Sequence, residues 1–223
     1  ANLARLYQWW ADQANNAFAT NQRGQIASQY YATAVSLSPN NGSIWAEWAI
    51  LHLHVLDQPD LAHDILTKAI ERDSRFSFTR GLMGDYYLAI AKSEENLSNK
   101  FHALDRAAHN YRGAILNYSP RDTTHLSAYY LSLGNAYIQL ASIAPEHLIN
   151  VYKRLTIAAL EGALQSDLSE SDRWFVKEGL ANLYFEIGDK ENALTNAVEA
   201  VSIAPQAYSE RIQRLIQVIQ LMP

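Results

Sequence analysis

The chain has 223 residues, 48% hydrophobic and 18% charged, a balance that excludes intrinsic disorder and lets roughly 70% of the unfolded surface be buried. Eighteen Lys and Arg against 23 Asp and Glu leave a net charge of -5, which excludes a general nucleic-acid binder built on a basic face. The absence of cysteine excludes disulfides, thiolate chemistry and Cys-ligated zinc, and it fits the cytoplasm and an extracytoplasmic compartment equally.

Apolar residues recur at three- and four-residue steps, as in Ile26-Tyr30-Ala34 and Leu180-Leu183-Tyr184-Ile187, which is the helical period. No alternating run bounded by Asn-Gly or Asp-Gly marks a hairpin. The expectation is all-α. In chain order the predicted helix pairs occupy 2–39, 42–75, 77–119, 123–168 and 171–205, and a last helix occupies 206–222. Breakers separate them, such as Ser38-Pro39-Asn40-Asn41-Gly42 and Gly188-Asp189-Lys190. No apolar run approaches the ~18 residues of a membrane span. The chain opens at Ala1 without an initiator Met or a leader, as an excised or processed segment would.

The pairs are copies of one unit. Its clearest form is Leu180-Ala181, Tyr184, Gly188-Asp189, Ala193, Ala197, Ala200 and Pro205. The small residue of the first helix recurs at Ala11, Ala49, Gly84, Gly134 and Ala181. The second helices repeat a four-then-three spacing: Ala27-Tyr31-Ala34, Ala62-Leu66-Ala69, Ala107-Tyr111-Ala114 and Thr156-Leu160-Ala163. Small residues let two helices approach and large ones fill the gaps beside them. This pattern resembles the tetratricopeptide repeat (TPR). The resemblance implies a right-handed superhelical solenoid of about five TPR-like antiparallel helix pairs plus a C-terminal capping helix. The small positions lie 38, 35, 50 and 47 residues apart, against ~34 in the family, so the third and fourth pairs are expected to be elongated. The tail places Tyr208, Ile212, Leu215, Ile216 and Ile219 on one face. It reads as a cap, with the first helix of a sixth repeat as the alternative.

No motif carries catalysis. Histidine is absent from any His-Glu-x-x-His frame, and there is no nucleophile elbow or phosphate loop. His102, Asp105 and His109 share a helix face, but such spacings arise by chance on amphipathic helices, and no metal or cofactor is expected. His52 stands at the repeat's Tyr position and is expected to pack.

The repeat resemblance implies a concave groove that holds a peptide or partner protein. The family's groove positions fall on Asp12, Asn15 and Asn16, then on Ala46, Ile50 and Leu53. They continue through Gly81, Asp85 and Leu88, through Leu131, Asn135 and Gln139, and end at Glu178, Asn182 and Phe185. Asn135 and Asn182 hold the same position in successive units. They read either as amides that grip a peptide backbone or as ordinary solvated residues. Leu131 and Glu178 stand where a carboxylate clamp needs lysine, so the groove is expected to be neutral to acidic. Phe78, Tyr86 and Phe175 are candidates for stacking on a sugar. The opening Asn2-Leu3-Ala4-Arg5-Leu6-Tyr7, with the Tyr30–Asn41 run and Trp45-Ala46-Glu47-Trp48-Ala49, also resembles the soluble repeat segment of bacterial O-antigen ligase or polymerase-like membrane proteins. That likeness implies an accessory domain of a membrane glycan-assembly enzyme. The expected partner is a protein or peptide, without nucleic acid and without membrane contact by this segment. An uncapped solenoid end would permit self-association.

Overall fold

The computed structural model describes residues 1–120 and 124–221. The expected start of the fourth unit at 123 and the last cap residue, 222, lie outside them. Among the described residues the regular elements are all helical. They are α1 (Asn2–Asp12), α2 (Ala17–Leu37), α3 (Gly42–Ile50), α4 (Pro59–Arg72), α5 (Ser77–Ser93), α6 (Leu97–Leu116), α7 (Leu126–Ile143), α8 (Glu146–Gln165), α9 (Glu170–Glu186), α10 (Lys190–Ile203) and α11 (Gln206–Gln220). A π-helical turn, Leu51–Val55, continues α3. None of these helices is long and apolar enough to cross a membrane.

The chain divides into two compact units, residues 1–93 with 109–123 and residues 94–108 with 124–223. Helix α6 contributes its N-terminal half to the second unit and its C-terminal half to the first. The third and fourth pairs, α5 with α6 and α7 with α8, have helices of 17, 20, 18 and 20 residues. In the first pair α1 has 11 residues and α2 has 21. Helix starts follow local chemistry. The side chains of Asn16, Asn41 and Asp189 accept backbone N–H groups at the starts of α2, α3 and α10, satisfying donors that lack a helical partner.

In the first unit the core joins Ala4, Ala27, Tyr31, Ala46, Ala49, Leu51, Leu66 and Ala69, all fully buried. The small position of α5, Gly84, faces the ring of Tyr111 from α6; a Cβ there would lie 2.7 Å from the ring. The repeat's small-against-aromatic pairing is thus a steric fit. Two buried tyrosines find acceptors: Tyr31 donates to Gln8 Oε1 at 2.8 Å and Tyr111 to Asp85 Oδ1 at 2.6 Å.

His52 packs at 1% exposure, but inside a polar chain that the sequence does not reveal. Trp48 Nε1 donates to Ser28 Oγ at 2.9 Å. Ser28 Oγ meets His52 Nε2 at 3.0 Å, and His52 Nδ1 meets Gln58 Oε1 at 2.9 Å. A neutral imidazole protonated at Nδ1 completes the chain: Ser28 donates to Nε2, and Nδ1–H donates to Gln58. Burial lowers the pKa of His52, against the opposing pull of Gln58.

In the second unit α7 packs with α8 and α9 with α10. Leu180, Ala181, Ala193, Ala197 and Ala200 are buried at that second crossing. Helix α11 covers α9 and α10 and buries Ile212 and Ile219. The capping reading of the tail fits this packing.

Candidate functional site

One face of α7 and one face of α9 line a cleft of about 530 Å³ in the second unit. Leu131, Gly134, Asn135 and Ile138 come from α7. Phe175, Val176, Gly179, Asn182, Leu183 and Glu186 come from α9, and Thr156 and Leu160 of α8 complete the lining. The cleft exists because two glycines omit side chains. The Leu160 δ-carbons lie 3.3 Å from where a Gly134 Cβ would sit and 3.6 Å from where a Gly179 Cβ would sit. Leu160 occupies the repeat position that Tyr111 fills in the third unit, and it is too short to fill the same space.

Two amides face this apolar trough with complementary valences. Gln139 Nε2 donates to Asn135 Oδ1 at 3.1 Å, which leaves the Asn135 amide N–H groups as donors. Asn182 Nδ2 donates to the Glu178 carbonyl at 2.9 Å, which leaves Oδ1 as an acceptor. Phe175, 63% exposed, stands on the rim. It also borders a smaller cleft of about 380 Å³, with Glu178, Gly179, Asn182, Arg211 and Leu215.

The cleft lies at the neutral end of the expected neutral-to-acidic range. Glu178 is buried and bonded by Arg211 of α11, and Glu186 pairs with Lys153 at 2.8 Å. Both carboxylates at the cleft are compensated, so it presents a neutral apolar surface. A third carboxylate caps α7: Asp167 accepts from Ser127 N–H at 2.9 Å and lies 2.7 Å from His125 Nδ1. Desolvation pulls the Asp167 pKa upward, but these hydrogen bonds outweigh it and bring it to about 2.

The residues that the repeat pattern nominates separate into three sets. Leu131, Asn135 and Asn182 meet in the cleft, and Gln139 braces Asn135 from the next turn. Phe185 packs into the cluster that Leu215, Ile216 and Ile219 of α11 form with Ala181, Ala193 and Ala197, and Glu178 is held by Arg211. The cap has therefore claimed both. In the first unit, Ile50 and Phe78 pack partly buried against the core. Asp85 is densely surrounded, though still open to water; desolvation raises its pKa against the lowering bond from Tyr111. Helix α1 ends at Asp12, which is exposed, so Asn15 lies in the connection to α2 and Asn16 serves as the cap of α2. Among the described residues no group of three or more His, Asp or Glu could hold a metal ion, so His102, Asp105 and His109 do not converge.

The sequence reading omits Ile138, Val176, Gly179, Leu183 and Glu186. The signal was present as the stripe Phe175, Gly179, Asn182 and Glu186, stepping by four, three and four along α9.

No protein-family model and no curated sequence matches the chain. The crystal structure of a thermophilic TPR protein of Thermus thermophilus matches with a TM-score of 0.52 at 18% identity, covering 98% of this chain and 99% of that one. Two crystal structures of the protein MamA match with TM-scores of 0.51 at 14% and 15% identity, covering 94% and 82% of this chain and 95% and 90% of those chains. At such identities the likeness carries the fold, and that fold is TPR-like.

Proposed function

We propose that this chain is a non-catalytic interaction scaffold whose α7–α9 cleft binds an extended segment of a partner protein. One observation carries the reading. A neutral, apolar trough is lined by Asn135, whose amide N–H groups can donate, and by Asn182, whose Oδ1 can accept, and an extended peptide backbone presents the matching acceptor and donor. Apolar side chains of the ligand would be buried against Leu131, Ile138, Phe175 and Leu183. Each one fully buried contributes about 1.5–3 kcal/mol before ordering is deducted. The amides read backbone and the trough reads apolarity, so a broad preference follows. A strongly acidic or basic ligand gains nothing from carboxylates that already have partners.

The likeness to O-antigen ligase segments receives no support from the comparisons. One exposed ring, Phe175, among apolar neighbours is also a poor match for a hydroxyl-rich saccharide.

The test is selection of displayed 12-residue random peptides on the purified chain. Recovered peptides are then titrated against wild type and the double variant Asn135→Asp, Asn182→Asp. The reading expects apolar peptides whose affinity falls at least tenfold in the variant. Peptides that bind both proteins equally, or no enrichment at all, would overturn it.

A further inference from the structure

We propose that the exposed apolar face of the first helix pair is an interface between two copies of this chain. On α1, Leu3, Leu6, Trp9 and Trp10 are 53, 56, 60 and 46% exposed. With Tyr7 they border a cleft of about 380 Å³. Leu3 is shared with a second cleft of about 430 Å³, whose other walls include Tyr30, Thr33, Ala34 and Leu37 of α2. Leu3 makes the two clefts one continuous face.

Three observations choose a second copy as the occupant. The first is charge. Among residues 1–40 the charged side chains are Arg5, Asp12 and Arg23. Arg5 is bound by Glu47 at 2.8 Å, and the Arg23 guanidinium lies 4.0 Å over the Trp10 ring. Two such faces bring few like charges together, and charge-poor surfaces rich in Trp and Tyr are the composition of interface cores. A lipid surface would be met by free basic side chains, and the first lysine of the chain is Lys68.

The second is area. Leu3, Leu6, Trp9, Trp10, Tyr30 and Leu37 together expose on the order of 700 Å² of apolar side chain, against ~800 Å² per partner in a standard stable interface. The third is shape. The face carries a large exposed ring, Trp9, and a separate cleft lined in part by the small Thr33 and Ala34. A twofold axis would set the Trp9 ring of each copy against the other copy's cleft, the self-complementarity of an isologous dimer.

Sedimentation equilibrium on the full chain, from about 1 to about 100 µM, tests this. Wild type is expected to reach twice the 25.1 kDa chain mass. Leu6→Glu and Trp9→Glu, both at exposed positions and each checked for an unchanged circular-dichroism melt, are expected to weaken association at least tenfold. Phe175→Glu, in the other unit, is expected to leave it unchanged. A 25.1 kDa species throughout, or a dimer that survives both α1 substitutions, overturns the proposal. So does a monomer that floats with phosphatidylcholine–phosphatidylserine vesicles, which would assign the face to lipid.

Discussion

Replacing Gly84 with Ala places a methyl carbon 2.7, 2.8 and 2.9 Å from Cε1, Cζ and Cδ1 of Tyr111. Comfortable carbon contacts begin near 3.5 Å, so the ring or the helix must move. The ring has no free path: Tyr111 is 1% exposed and its hydroxyl is tied to Asp85 at 2.6 Å. Overpacking of this kind costs about 1–3 kcal/mol, and three close ring atoms argue for the upper end. The better helix propensity of Ala returns about 1 kcal/mol, which leaves a net loss near 2 kcal/mol. Gly134→Ala makes the same chemical change at the equivalent repeat position. Its new carbon meets a terminal methyl of Leu160 at 3.3 Å, beside an open cleft into which that methyl can turn. Propensity dominates there, and the variant gains up to ~1 kcal/mol. For a chain of this size 1 kcal/mol moves Tm by roughly 2–4 °C, so the two variants will differ by about 6–12 °C in calorimetry. A Gly84→Ala protein that melts at or above Gly134→Ala would refute the claim that the small positions are set by the residue they face.

Three further outcomes follow from single sites. His52 has a folded pKa below its ordinary 6.5, so the unfolded chain binds the proton more readily. Stability is full above pH ~6.5 and falls as pH drops below it; His52→Gln will flatten that part of a Tm-against-pH curve. Among the described residues Asp57 is the non-glycine residue with positive φ, at 50°, where the fifth unit uses Gly188 at 82°. Asp57→Gly will hold or raise Tm, whereas Asp57→Val will lose about 1–2 kcal/mol in thermal melts. Arg211→Met removes the partner of buried Glu178 and will destabilise by about 1–3 kcal/mol in urea titrations; an unchanged midpoint would show that the ion pair does not anchor α11.

The fold was legible because the repeat writes the same packing rule five times, and helix breakers fall in phase with it. The small position at Gly84 and the aromatic at Tyr111 each imply the other once both are seen to recur. The site was legible only in part, for a reason visible at Glu178 and Phe185. Both lie on the nominated face of α9, but α11 folds back and takes them, and contacts between helices this far apart in sequence leave no periodic trace. The polar chain through Ser28, His52 and Gln58 escaped for the same reason: its members lie 24 and six residues apart, in three different elements. Gly179 escaped because a lone glycine inside a helix reads as a defect until Leu160 is placed beside it.

The central claim is that the α7–α9 cleft is the binding surface, and filling it is the most direct test. Gly179→Leu introduces a Cβ at an ordinary 3.6 Å from Leu160 and sends the remaining carbons into the trough. Calorimetric titration of a display-selected apolar peptide is then compared between wild type and this variant at several temperatures. The prediction is at least a tenfold loss of affinity and a smaller negative ΔCp, since less apolar surface is buried, with Tm held or raised by the better helix propensity of Leu. Equal affinity and equal ΔCp in the two proteins would contradict the account and place binding elsewhere on the chain.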